Sequence, residues 1–332
     1  MGEFDLIERY FKRPARRAAL GVGDDCALLQ PSPGTQLAIS CDMLVEGRHF
    51  LSTIDPRKLG HKALAVNLSD LAACGAKPLA FTLALALPHA DDAWLAPFSQ
   101  GLLALADAHE CELIGGDTTQ GPLNICITVF GEIPVVNGRS QALLRSGAQV
   151  GDDLYVSGSL GDARLALEVF RGTVSVPTPV FDAARLRMEQ PTPRVALGLA
   201  LRGIATAAID ISDGLLGDLG HILKQSGVGA TVDTEVAINL IASYAYYTGA
   251  RGQFCNDISE NNWLSWALAG GDDYELLFTA PASARASVGA AAQSSQTRVT
   301  RIGHIGLEHS LRLVDGDGQV MPNTYTSFDH FA

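Results

Sequence analysis

The sequence predicts a two-domain protein of the α/β type, and three observations predict it. The chain has 332 residues, roughly two domains by length. Strand-like and helix-like stretches alternate through the first half, and the strands run into glycines and acids. The segment NGRSQALLRSGAQVGD (137–152) is polar and glycine-containing and makes the best boundary in the chain. The domains are therefore expected at 1–147 and 148–332.

Composition narrows the function. Hydrophobic residues make up 47% and charged residues 18%, which is a globular chain and not a disordered one. A net charge of −12 argues against a nucleic-acid backbone as the main partner. It does not exclude phosphate ligands, because divalent metals can sit between carboxylates and phosphates. Six cysteines without a CxxC pair read as reduced thiols. The opening MGEFDLIERYFKR is an amphipathic segment with acids, not a signal peptide. No apolar run has membrane-spanning length. The expectation is a soluble cytoplasmic protein, with neither a membrane nor a nucleic acid as partner.

The first half is organised around HKALAVNLSDLAACGAKP (61–78). From Ala63 to Ala73 it is apolar on every side but for Asn67, Ser69 and Asp70, the pattern of a buried helix, stopped by Gly75 and Pro78. Asp70 has no Lys or Arg three or four residues away. It is either a hydrogen-bonded structural acid or a metal ligand on a rigid element, since an isolated buried carboxylate is costly. Before it come a short helix at 4–11, a basic patch from Lys12 to Arg17, and GVGDDCALLQ (21–30), where Asp25 precedes a strand-like run. QLAISCD (36–42) alternates as a strand that ends on Ser40, Cys41 and Asp42. Glu46 and His49 follow, and a lone histidine is a weak signal. LAFTLALALP (79–88) suits a strand covered on both faces. DDAWLAPFSQGLLALADAHE (91–110) reads as an acid-capped helix. CELIGGDTTQG (111–121) is a short strand that runs into Gly115, Gly116 and Asp117, where a backbone can approach a phosphate. Asp25, Asp42, Asp70 and Asp117 suggest a polymetal oxygen site of the kind Mg²⁺ prefers.

In the second half, Arg145 lies in the connection, either solvated or as a phosphate clamp. DDLYVSGSLGDARLALEVF (152–170) reads strand, glycine turn, helix; 171–192 reads as irregular; a helix capped by Thr192 is expected next. In AAIDISDGLLGDLGHILKQSG (207–227) a strand meets Asp210, Ser212 and Asp213, then a helix. Three oxygen donors there serve either as helix caps or as contacts to a metal–phosphate complex. LAGGDDYELLFTAP (268–281) repeats the glycine, paired-acid, strand grammar with Asp272 and Asp273. Residues 239–265 carry no readable motif, and the tail closes on Phe328 and Phe331.

As a set, GDDC (23–26), SCD (40–42), EGRHF (46–50), NLSDLAACGA (67–76), IGGDTT (114–119), RSGA (145–148), IDISDG (209–214), GGDDYE (270–275) and FDHF (328–331) resemble the thiamine-monophosphate kinase family. Its wider superfamily includes aminoimidazole ribonucleotide synthetase. The resemblance implies an α/β plus α+β, two-domain synthetase-like fold. It implies a homodimer in which the N-terminal α/β domains form a β-barrel-like interface, and a C-terminal α+β domain that completes the site. The implied reaction is transfer of the γ-phosphoryl of ATP to thiamine monophosphate, with several Mg²⁺ ions. Matched position by position, the metal ligands would be Asp25, Ser40, Cys41, Asp42, Asp70, Asp117, Asp210 and Asp213. The nucleotide contacts would be Gly116, Asp117, Arg145 and Ser212. The substrate contacts would be His49, Asp272 and Phe328, and Asp70, Asp117 and Arg145 would carry catalysis. Two positions depart from the family. Cys41 stands where threonine is common, and a thiol is a poor magnesium ligand, so contact there would use the backbone carbonyl. Asp272 stands where some relatives carry glutamate. A sister synthetase and a non-catalytic nucleotide or Mg²⁺ sensor are the competing readings.

Overall fold

The computed structural model describes residues 2–242 and 258–328. The chain divides into two compact units, one of residues 1–71 with 76–142 and one of 72–75 with 143–332. Both have mixed α/β content.

The first unit opens with α1 (Glu3–Tyr10) and continues through β1 (Thr35–Val45), α2 (Pro56–Ala73), β2 (Lys77–Leu87), α3 (Asp92–Ala108), β3 (Glu112–Gln120), β4 (Asn124–Val136) and β5 (Arg139–Ser140). Its sheet runs β1-β4-β2-β3, with β5 on the end of β4. Only β2 and β3 pair in parallel, and α3 supplies the crossover that a parallel pair requires. Helix α3 begins where Asp91 caps it, its carboxylate accepting from the Ala93 N–H at 2.9 Å. α2 and α3 cross backbone to backbone at two glycines. A Cβ on Gly60 would lie 2.0 Å from the Phe98 carbonyl oxygen, and one on Gly101 1.8 Å from that of Arg57. Along β1, Leu37, Ile39, Cys41 and Met43 are exposed while Ala38, Ser40, Asp42 and Leu44 are covered. Strand periodicity thus separates an open apolar face from a face that meets α2.

The second unit contains β6 (Asp152–Ser157), α4 (Asp162–Phe170), α5 (Thr178–Glu189), α6 (Val195–Ala200), β7 (Ala207–Ile211), α7 (Leu215–Ser226), β8 (Gly229–Asp233), α8 (Thr234–Ile238), α9 (Glu260–Ala269), β9 (Glu275–Pro281), α10 (Arg285–Ser294), β10 (Val299–Gly306), β11 (Leu311–Val314) and β12 (Val320–Met321). Its mixed sheet runs β12-β11-β8-β10-β6-β9-β7, with β11 and β8 parallel. Leu154 and Val156 of β6 pack in one core with Leu219 and Ile222 of α7 and Trp263 of α9.

Several expectations are corrected. The run after Asp25 is not a strand: Leu28 only bridges back to Leu20. β1 continues to Val45, so Asp42 lies inside the strand. β2 is covered on both faces only near its start, where Ala80 packs with Ala18 and Ile114; farther along, Ala84 is exposed. β3 continues through Gly115–Thr119, because parallel pairing with β2 holds the glycines in register. Residues 171–192 contain α5, which Pro177 and Pro179 introduce and do not interrupt, since proline fits a helix's first turn. α6 lacks the Thr192 cap; Arg194 holds its N-cap position, without a side-chain hydrogen bond. The strand expected after Asp273 to alternate, β9, is instead buried almost throughout, because it is an interior strand of the sheet. Among the described residues no closed barrel forms. Residues 329–331 of the FDHF motif, and Cys255, lie outside the described residues.

Candidate active site

In the first unit the residues converge on the β1–α2 contact. The Ser40 hydroxyl donates to the Asp70 carboxylate. The Asp42 N–H donates to Asn67 Oδ1 at 3.2 Å, and Asn67 donates onward to the Ala63 carbonyl at 3.0 Å. Asn67 and Asp70, about one turn apart on α2, therefore both meet β1. Burial, and then the negative charge of Asp70, push the Asp42 carboxyl up to about 6. Asp42 and Asp70, two carboxylates beside a hydroxyl, form a hard-oxygen set suited to a cation such as Mg²⁺.

The other predicted ligands of this unit lie elsewhere. The register Asp42↔Ile127, Ile127↔Leu83, Leu83↔Gly116 carries a straight line across the sheet. Asp117 instead pairs with Ala84, Ala84 with Cys126, and Cys126 with Met43. Asp117 therefore shares the open face, opposite to Asp42. Cys41 also lies on that face, with its Sγ 3.4 Å from Cys126 Sγ, so its thiol faces away from the Asp42–Asp70 pair. Asp25 is exposed, its N–H donating to Asp24 Oδ1 at 2.9 Å. Gly116 holds φ +150°, and a Cβ there would lie 1.9 Å from the Leu83 carbonyl oxygen; glycine is required by close packing between strands. His49 sits in the turn after β1, where Nδ1 accepts from the Val45 N–H at 3.0 Å, leaving Nε2 to carry the proton of the neutral ring. Among the described residues no three His, Cys, Asp or Glu side chains form a metal-holding group.

In the second unit the loop from β7 into α7 gathers the predicted residues. Asp210 is buried within β7, and Ser212 and Asp213, just past the strand's end, are half-buried. The Asp272 N–H donates to the Ser212 carbonyl at 2.7 Å, and the Phe328 N–H donates to the Asp213 carbonyl at 3.1 Å. Four residues read from three distant motifs thus meet at one place. The expected cap is different: neither Ser212 nor Asp213 caps α7. The carboxylate of Asp218 accepts from the N–H groups of Ser212, Asp213 and Gly214 at 3.1, 3.2 and 3.1 Å. Burial, and then the charge of Asp213, push the Asp218 carboxyl up to about 7. Sequence reading missed Asp218, although an acid one turn inside a helix, after an S-D-G loop, is a readable signal. Arg145 is exposed and its carbonyl accepts from Ser226 Oγ at 3.3 Å. That is the last residue of α7, about 16 Å along the axis from its first, so the structure does not bring Arg145 to Ser212.

Two domain families match this chain. AIR synthase related protein, N-terminal domain, covers residues 23–133, and AIR synthase related protein, C-terminal domain, covers 149–316. The thiamine-monophosphate kinase of Salmonella typhimurium is 45% identical over 338 residues, spanning 100% of this chain and 98% of that protein. The chain belongs to the thiamine-monophosphate kinase family. The solved thiamine-monophosphate kinase from Stenotrophomonas maltophilia superposes with a TM-score of 0.81 at 44% identity, covering 92% of each chain. AaThiL complexed with AMPPCP and TMP superposes at 0.74 with 28% identity, covering 91% of this chain and 89% of that one.

Proposed function

We propose that this family member transfers the γ-phosphoryl group of ATP to thiamine monophosphate, giving thiamine diphosphate and ADP. The observation that carries the reading is end-to-end likeness, at 45% identity, to a thiamine-monophosphate kinase. The acceptor is a phosphate monoester with a second pKa of about 6, so at neutral pH it is already the nucleophilic dianion and needs no general base. The obstacle is repulsion between anions. Asp42, Asp70 and the Ser40 hydroxyl fit a Mg²⁺ ion in the first unit, and Asp210 and Asp213 supply carboxylates in the second. Bound there, Mg²⁺ would neutralise phosphate charge and favour an in-line arrangement. The chain's own work is positioning: Ser40 fixes the Asp70 carboxylate, and Asn67 fixes the strand at Asp42. His49 offers an Nε2 donor, Asp272 a carboxylate to the cationic part of the substrate, and Phe328, 48% exposed, a ring to stack on a heteroaromatic one.

The proposal includes a homodimer in a cytoplasmic setting. It is supported by the open apolar face of the first sheet, with Ile39 62% and Met43 53% exposed, a face that a second copy would cover. Among the described residues no helix is long and apolar enough to cross a membrane. The test is ADP release from ATP and Mg²⁺ with thiamine monophosphate, thiamine or aminoimidazole precursors as acceptor. Turnover confined to the monophosphate, with the diphosphate as product, is the expected result. Turnover with another acceptor alone would move the protein to a sister activity.

A further inference from the structure

The loop that joins β7 to α7 has the position of a phosphate-binding nest, three successive N–H groups at a helix N-terminus. Its backbone polar groups are already used, however. The N–H groups of Ser212, Asp213 and Gly214 all point at Asp218 Oδ2. The carbonyls of Ile211, Ser212 and Asp213 accept from the N–H groups of Tyr274, Asp272 and Phe328 at 2.8, 2.7 and 3.1 Å. Asp218 itself is 3% exposed, within the protein and not on the ligand side. What remains to face a ligand is the side chains of Ser212 and Asp213, a hydroxyl and a carboxylate. Such a pair receives a cation or a hydroxyl group and repels bare phosphate.

We infer that Asp218 is a positioning residue: by filling the amide nest from inside, it makes the 212–214 loop a receptor for the metal side of a metal–nucleotide complex and not for phosphate alone. This rests on the kinase reading for the identity of the nucleotide, but not for the geometry. Without the carboxylate three N–H groups lose their acceptor, the loop relaxes, and Ser212 and Asp213 lose their fixed orientation. An asparagine keeps one carbonyl oxygen in the same place and so keeps part of the frame.

The test compares native protein with Asp218→Ala and Asp218→Asn in two assays. Mn²⁺ binding in the presence of ADP is followed by electron paramagnetic resonance, which needs no turnover. Steady-state kinetics then separate KM for Mg·ATP from kcat. The expected result is that Asp218→Ala weakens Mn²⁺·ADP binding and raises KM at least tenfold while kcat changes less than threefold, with Asp218→Asn in between. A folded Asp218→Ala protein, judged by a cooperative melt, that binds Mn²⁺·ADP as tightly as native overturns the inference. If Asp218→Ala does not fold, Asp218→Asn decides: native binding and KM would overturn it, and a partial loss of both would support it. Native protein that binds Mn²⁺·ADP but does not turn over thiamine monophosphate would sink the kinase reading and leave this one standing.

Discussion

The Asp272 N–H donates to the Ser212 carbonyl at 2.7 Å, and Asp272 adopts a left-handed φ of +62° to do so. The loop proposed to contact thiamine monophosphate is thereby latched to the loop proposed to contact the nucleotide. Asp and Asn tolerate this conformation, and a β-branched residue does not. Asp272→Asn is therefore expected to melt within about 2 °C of native, because the backbone latch survives and any change below about 0.5 kcal/mol is of that order. Its KM for thiamine monophosphate is expected to rise about tenfold, the loss of roughly 1.4 kcal/mol from one charge-assisted contact. Asp272→Val is expected to lose a further 1–3 kcal/mol or so of stability to backbone strain. Urea denaturation and steady-state kinetics together check both; equal stability of the Asn and Val variants would refute the strain argument.

The Asp42–Asp70 pair predicts a pH effect on stability without metal. Asp42 ionises near 6 in the folded chain against about 4 unfolded. The stabilisation associated with its protonated form is complete below about pH 4 and lost as pH rises through 6. Asp42→Asn is therefore expected to be more stable than native by about 1–2 kcal/mol at pH 8, and no more stable at pH 4. Urea denaturation at the two pH values, with a chelator present, is the measurement. A gain that does not depend on pH would show that the charge of Asp42 is not the source.

Asp70 predicts the opposite for activity. Asp70→Asn keeps the shape that accepts the Ser40 hydroxyl and halves the charge available to a cation. The expected outcome is a native far-ultraviolet spectrum and a kcat reduced at least about a hundredfold, the size of losing one preorganised electrostatic group. Normal turnover at saturating Mg²⁺ would remove Asp70 from the site.

Much of this was legible in the sequence, and the exceptions have physical reasons. Asn67, Ser69 and Asp70 stood out because they interrupt an apolar helix, and that helix runs from Pro56 to Ala73. The latch between Asp272 and Ser212 was not legible, because a backbone hydrogen bond leaves no trace in side-chain identity. Asp117 looked like a partner of Asp42 because both follow strand-like runs. Which face each occupies depends on register across three strand pairings, and a shift of one residue reverses it. α5 was hidden because the Pro-rich stretch 171–192 reads as irregular, whereas Pro177 and Pro179 stand where the first-turn N–H groups have no helical partner anyway.

Asp153 predicts acid sensitivity in the second unit. Arg285 donates to its two oxygens at 2.6 and 2.9 Å and Arg301 at 3.2 Å. Those hydrogen bonds, Arg285 first, hold its carboxyl down to about 2. A depressed carboxyl contributes stability that is present above its unfolded value near 4 and lost as pH falls through 2. Both arginines are more than half exposed, so solvent screening leaves roughly 1 kcal/mol. Asp153→Asn is expected to be less stable than native by that amount at pH 6, with the gap closing at pH 2.

Glu275 opens β9 directly after the Asp272 loop and is fully buried, at 0%. It accepts from Arg187 at 2.6 Å, from Arg194 at 2.5 and 2.6 Å, and from the Ser157 hydroxyl at 2.5 Å. Ser157 in turn accepts from the Leu276 N–H at 2.8 Å. One carboxylate thus ties α5, the start of α6 and strand β6 to the base of the Asp272 loop. Removing it leaves two guanidinium groups, each about one-fifth exposed or less, without the carboxylate they share. Asp273, next to the loop, also lies among these groups, with its carboxyl pushed up by burial. Glu275→Ala is therefore expected to cost about 3–5 kcal/mol, the cost of breaking a buried pair from one side. The loss should be nearly the same at low and high salt, since a buried pair is screened little. Replacing Glu275, Arg187 and Arg194 together with apolar residues of similar size should cost less than Glu275→Ala alone. Denaturation of the single and triple variants at two salt concentrations measures it. A triple variant that loses more than the single would mean that the three residues stabilise the fold by their charge and not by their mutual neutralisation.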